Sequence, residues 1–120
     1  MTHDRLSRAR EAESLVAKRL ASEGFEIIGR NVRVGRLELD ILGRRRDLLV
    51  VCEVRSRASR SPVHPAETID RRKIERIRRA TAQWLAQNRP APRQLRFDAA
   101  AVLFDESGAV ARIDYYEDAF

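Results

Sequence analysis

The dipeptide Gly35-Arg36 separates two runs of alternating apolar residues. A two-residue loop with glycine first is typical of a type II′ hairpin turn, so we expect antiparallel strands over residues 25–34 and 37–42. If Val34 faces Leu37, the register of the whole hairpin follows. One face is then apolar and holds Val32, Val34, Leu37, Leu39 and Ile41. The other face is polar and holds Asn31, Arg33, Glu38 and Asp40.

Apolar spacing predicts the remaining elements. Helical spacing marks residues 4–22, with Asp4 as the cap and Gly24 at the end, and roughly residues 66–87. Strand patterns mark residues 48–55, 96–104 and 109–116, with a turn over 43–47 and a basic loop over 56–65. The predicted order is α-β-β-β-α-β-β over one domain, residues 1–120. This is an α/β fold with a mixed central sheet flanked by helices.

The charge balance points to a polyanionic partner. The chain has 24 Lys+Arg against 18 Asp+Glu, a formal net charge of +6, and phosphates recruit such cations. Arginine-rich solvated surface is the competing interpretation. The longest apolar runs are far shorter than the roughly 18 residues of a membrane span, so we expect no membrane partner. The single cysteine, Cys52, excludes a disulfide framework and fits a reducing, cytoplasmic location.

Two carboxylates on neighbouring strands form the sharpest chemical signal. Twelve residues separate Asp40 from Glu53, and Arg55 follows two positions later. Antiparallel pairing of these strands can bring Asp40 and Glu53 together, where a hard divalent cation would relieve their repulsion. Ordinary salt bridging on a strand face, with Arg33 opposite Glu38 and Arg55 beside Glu53, is the alternative.

The residues around these carboxylates resemble a known family. Residues 29–33, 35–42 and 50–57 are similar to the bacterial YraN-like family of endonuclease-like proteins, which resembles Holliday-junction resolvases and the PD-(D/E)XK nucleases. Ala12-Glu13 resembles the opening helix of that family, Lys73 fits the lysine of its second helix, and residues 96–98 fit its late Arg-Phe-Asp strand. The resemblance covers nearly the whole chain and implies a restriction-endonuclease-like fold.

The resemblance also implies a site. Asp40 and Glu53 would hold Mg²⁺ or Mn²⁺ together with the carbonyl of Val54, and Glu13 would contribute from the first helix. Glu38 and Lys73 would support the site. Arg55 stands where that fold normally has a lysine, and arginine keeps the charge but cannot release a proton.

The expected function is a Mg²⁺-dependent endonuclease acting on DNA, with branched or structured DNA favoured. The expected phosphate contacts are Arg33, Arg57, Arg60, Arg72 and Arg76. Resolvase-like enzymes act as dimers, so a homodimer is a candidate assembly. A non-catalytic nucleic-acid-binding module and an interaction subunit for an acidic protein are the alternatives.

Other notable residues receive structural roles or none. We expect Trp84 to pack in the core, and we expect Arg96 and Asp98 to form a structural pair. His3 and His64 receive no role.

Overall fold

The computed structural model describes residues 5–58 and 69–120 and confirms the predicted order of elements. The two helices are α1 (Arg5–Ser22) and α2 (Arg71–Gln87), and the strands are β1 (Glu26–Val34), β2 (Leu37–Arg45), β3 (Leu48–Ala58), β4 (Gln94–Phe104) and β5 (Val110–Tyr116). Within these residues, no helix is long and apolar enough to cross a membrane.

The five strands form one mixed sheet in the order β1-β2-β3-β4-β5. Neighbouring strands are antiparallel except β3 and β4, which are parallel. A parallel pair needs a crossover connection, and α2 lies between β3 and β4 in the chain. The second helix therefore belongs to the link between the two central strands.

Alternation along β3 divides the core between the two helices. Val50 and Cys52 pack in a cluster with the α1 residues Val16 and Leu20, whereas Leu49 and Val51 pack with α2 residues such as Ile77. Because successive strand residues point to opposite faces, the helices cover opposite faces of the sheet. Trp84 is half-buried against the α2 cluster, which confirms its expected core role.

The β1–β2 hairpin has the predicted register. Val34 pairs with Leu37 and Val32 with Leu39, and Gly35 takes a φ of 61°, as a type II′ turn requires. The prediction that Ile41 shares a face with Leu39 is wrong, because Ile41 packs in the α1 cluster while Leu39 packs in the α2 cluster. The alternation is interrupted next to Asn31, which has a φ of 50°.

Several element boundaries differ from the predicted ones. β2 runs to Arg45, so the turn before β3 is shorter than the predicted residues 43–47, with Arg46 at a φ of 55°. β3 continues to Ala58 through the start of the predicted loop. α2 begins at Arg71, because the Asp70 side chain caps it by accepting a 2.8 Å hydrogen bond from the Lys73 backbone N–H. Asp4 and residues 66–68 lie outside the described residues.

A buried carboxylate ties β4 to the C-terminal segment. Asp98 is 0% exposed and accepts two 2.9 Å hydrogen bonds from the guanidinium of Arg96. The Tyr115 hydroxyl and the Asp118 backbone N–H also donate to it. The expected structural pairing of Arg96 with Asp98 is confirmed, and the same carboxylate holds two further donors in place.

Candidate active site

The site lies where β2 and β3 separate. Their ladder pairs Arg45 with Leu48 at one end and Ile41 with Cys52 at the other. Asp40 and Glu53 are the next residues on the two strands. Beyond this point β3 continues to Ala58 beside β4. The edge of β3 that faces β2 is therefore not paired with β2 there, and side chains can contact it.

A backbone hydrogen bond fixes Asp40 against β3. Its Oδ2 accepts from the N–H of Val54 at 2.9 Å. The N–H and C=O of one strand residue point to the same edge, so the Val54 carbonyl faces the edge on which Asp40 lies. The family resemblance implies that this carbonyl is a metal ligand, and its direction agrees with that expectation.

Glu53 is buried and has incomplete partners. It is 1% exposed, and its Oε1 lies 3.7 Å from Nζ of Lys73 and 4.0 Å from a terminal nitrogen of Arg55. Both distances exceed the 2.7–2.9 Å that is usual for a charge-assisted hydrogen bond. In the described part of the chain, no donor reaches the buried Oε2 of Glu53.

The two carboxyl groups perturb one another. Burial raises the pKa of Glu53 to about 8, the charge of Asp40 adds to the rise, and Lys73 and Arg55 oppose it. Burial also raises the pKa of Asp40, against the effect of the Val54 N–H. Burial and mutual repulsion therefore favour protonation of this pair when no cation is bound.

Glu13 of α1 completes the acidic surroundings. Burial raises the pKa of Glu13, a hydrogen bond from the Asn31 side chain lowers it, and the charge of Asp40 raises it. Its Oε2 is buried, and no described donor reaches it. Sequence reasoning missed the role of Asn31. The signal available was its residue type, because asparagine tolerates the left-handed conformation that it adopts here.

The residues present fit a hard divalent cation that keeps part of its water shell. Among residues 5–58 and 69–120, no three histidine, cysteine, aspartate or glutamate side chains form a metal-holding group. Mg²⁺ does not need one, because it binds through one or two carboxylates plus waters and substrate oxygens. The raised pKa values of Asp40 and Glu53, together with the Oε2 of Glu53 that no described donor reaches, mark where positive charge is lacking.

The other predicted residues lie farther from this pair. Glu38 pairs with Arg33 at 3.2 Å, and both side chains are largely exposed, although the charge of Glu38 still raises the pKa of Glu13. Arg57 is exposed near the end of β3. Arg72 and Arg76 are exposed on α2, where Nε of Arg76 donates to the Arg72 carbonyl. Arg60, His3 and His64 lie outside the described residues.

Known proteins from one family match this chain over most of its length. A family model described as uncharacterised protein family UPF0102 matches residues 12–102. A UPF0102 protein of Anaeromyxobacter sp. (strain Fw109-5) is 38% identical over 117 residues, 98% of this chain and 86% of that protein. One from Moorella thermoacetica is 37% identical over 120 residues, 100% of both chains. One from Sorangium cellulosum is 41% identical over 112 residues, 91% of this chain and 77% of that protein.

Proposed function

The chain belongs to the uncharacterised protein family UPF0102, and we propose that it is a divalent-metal-dependent endonuclease that hydrolyses phosphodiester bonds in DNA. The observation that carries the proposal is the position of Asp40 and Glu53 at the end of the β2–β3 ladder, where Asp40 is held to the Val54 N–H and Oε2 of Glu53 is buried. Buried carboxylates normally have donors or cations around them, and Oε2 of Glu53 has neither among the described residues.

In the proposed site, Asp40, Glu53 and the Val54 carbonyl hold Mg²⁺ or Mn²⁺. A bound divalent ion lowers the pKa of water and neutralises charge on the phosphate. The Val54 N–H keeps Asp40 in position at 2.9 Å, so the carboxylate stays oriented before any ligand arrives. Glu13 adds negative charge from α1 and attracts cations to the same place.

Two cations flank Glu53 and would act on the substrate. Arg55 and Lys73 approach the same oxygen, Oε1, from β3 and α2. Positive groups beside the reacting phosphate stabilise charge that develops on it. Lys73 also supplies an ammonium at the site, which Arg55 cannot do. We assign to Lys73 the water-positioning role that a lysine at position 55 would have had.

A non-catalytic nucleic-acid-binding module is the second candidate. The observation that favours it is that Lys73 and Arg55 already offset the charge of Glu53 without a metal. In that case the carboxylates serve to hold α2 against β3, and the basic surface does the binding.

Cleavage of plasmid, flap and junction DNA with Mg²⁺ or Mn²⁺ tests the two candidates. We expect Asp40→Asn and Glu53→Gln to reduce cleavage at least a hundredfold while DNA binding is kept or improved, because each change removes a ligand and a charge that repels phosphate. Glu26→Gln is the matched control, since Glu26 is exposed on β1, and it should cleave like the wild type. Wild-type protein that binds DNA without cleaving it in either metal would favour the binding module.

A further inference from the structure

A basic cleft adjoins the candidate site. Its volume is about 510 Å³, and it lies between the start of α1 and the end of β3. We call it the arginine cleft. Among the described residues, its lining has four arginines and no acidic side chain: Arg5, Arg8, Ala9, Val54, Arg55, Ser56, Arg57 and Ala58.

The arginine cleft and the candidate site share residues. Val54 lines the cleft and donates to Asp40, and Arg55 lines the cleft and approaches Glu53. The arginine cleft therefore adjoins the residues that contact Asp40 and Glu53. The cleft follows the part of β3 that lies beyond its ladder with β2, which ends at Cys52.

One donor of a cleft-lining side chain has no acceptor among the described residues. The Nε of Arg55 is buried, and no described group accepts a hydrogen bond from it. A buried donor without a partner is costly, and an anionic oxygen in the cleft would supply one. This atom is independent of the arginine count and points to an anionic ligand in the same place.

The four arginines form two rows. Arg5 and Arg8 are one helical turn apart, about 5–6 Å between Cβ atoms. Arg55 and Arg57 are two strand residues apart, about 7 Å along β3. Guanidinium groups repeated at this interval on both sides of a cleft suit the successive phosphates of one extended strand. The described lining has no aromatic side chain, so bases would not stack on it, and binding would be insensitive to sequence.

We propose that the arginine cleft holds a single-stranded stretch of nucleic acid by its phosphates, next to the bond that is cleaved. The position of the cleaved bond rests on the proposed nuclease function. A volume of about 510 Å³ accommodates a short stretch of one strand but not the full width of a duplex. The substrate class is therefore nucleic acid with an accessible single strand, such as the arm of a fork or flap.

The test compares a fluorescein-labelled forked DNA with a blunt duplex of the same length, by fluorescence anisotropy in EDTA at several salt concentrations. The double variant Arg5→Gln/Arg8→Gln removes one row. The matched control, Arg46→Gln/Arg93→Gln, removes the same charge from a different cleft at the start of β3. We expect the wild type to prefer the fork, and the cleft variant to bind the fork about tenfold or more weakly than the control variant does. Its salt slope should fall by about 1.4, for two lost contacts with a single strand.

A conservative variant guards against a purely structural effect. Arg5→Lys/Arg8→Lys keeps both charges and should retain most of the affinity for the fork. The proposal is overturned if the lysine variant loses as much affinity as the glutamine variant. Equal fork binding by the two glutamine variants, or equal wild-type affinity for fork and duplex, also overturns it.

Cleavage assays separate this proposal from the proposed function. If the wild type cleaves and the two glutamine variants behave alike, the arginine cleft has no role and the nuclease assignment stands. If fork binding depends on Arg5 and Arg8 but the wild type never cleaves, the nuclease assignment fails and the cleft remains a strand-binding site.

Discussion

Replacing Glu53 by glutamine should stabilise the metal-free protein at alkaline pH. Burial and Asp40 raise the pKa of Glu53 to about 8 from an ordinary 4.5. The folded state therefore holds a proton that the unfolded chain releases. The contribution of Glu53 to the free energy of unfolding is fully present below its pKa in the unfolded chain. It is lost as the pH rises toward its pKa in the folded protein.

The size of the effect follows from that difference. A gap of about 3.5 pKa units corresponds to an upper bound of about 5 kcal/mol. Because Asp40 and Glu53 interact and titrate together, the expected loss for the wild type is a few kcal/mol between about pH 5 and pH 9. Glutamine cannot ionise, so Glu53→Gln should lose much less over the same range.

Urea unfolding of both proteins in EDTA, at intervals across that pH range, measures the difference. Glu26→Gln supplies the background slope from all other groups, because Glu26 is exposed on β1. Adding Mg²⁺ or Mn²⁺ at pH 8 should raise the stability of the wild type more than that of Glu53→Gln. Parallel stability curves for the wild type and Glu53→Gln would refute the argument, because the carboxyl would then ionise in the folded protein as easily as in the unfolded one.

Three further changes have defined outcomes. Lys73→Met should lower the single-turnover rate at saturating DNA by about a hundredfold or more, and Lys73→Arg should not restore it, with Lys18→Met on α1 as the control. Arg55→Lys should change the same rate by less than about tenfold, because Lys73 already supplies an ammonium; a larger gain would return the water-positioning role to position 55. Asp98→Asn should destabilise the protein by about 3–5 kcal/mol in urea unfolding, because it removes the buried charge that pairs with Arg96 and leaves Arg96, among the described residues, only its 3.8 Å ion pair with Glu117; a loss below about 1 kcal/mol would contradict the structural role of Asp98.

Local patterns were sufficient to predict the strands and the register of the first hairpin, but not the parallel pairing of β3 with β4. The turn at Gly35 and the alternating residues beside it determine the register of β1 and β2. Antiparallel pairing of β2 with β3 then makes Asp40 and Glu53 the next residues beyond the end of their ladder. Such interactions are short-range or depend on one turn.

Contacts between separate elements could not be read in the same way. The approach of Lys73 to Glu53 depends on how α2 packs over the sheet, and the shared cleft of Arg8 and Arg57 depends on where α1 begins relative to the end of β3. The change of face at Ile41 lies opposite the left-handed residue Asn31 and its neighbour Arg30 on β1, and no alternating pattern predicts it. Helical and strand periodicity describe one element at a time and carry no information on these placements.

The cap at Asp70 has a consequence for the charge balance around Glu53. Its carboxylate accepts a hydrogen bond from the backbone N–H of Lys73 itself, so the residue that caps α2 also holds the backbone from which the ammonium reaches Glu53. A capping hydrogen bond contributes about 1 kcal/mol, which is a small part of the free energy of unfolding of a domain. Its loss would fray the first turn and move a cation away from a buried carboxylate without altering either charged residue. A non-catalytic, exposed side chain thus governs how much positive charge the acidic pair receives.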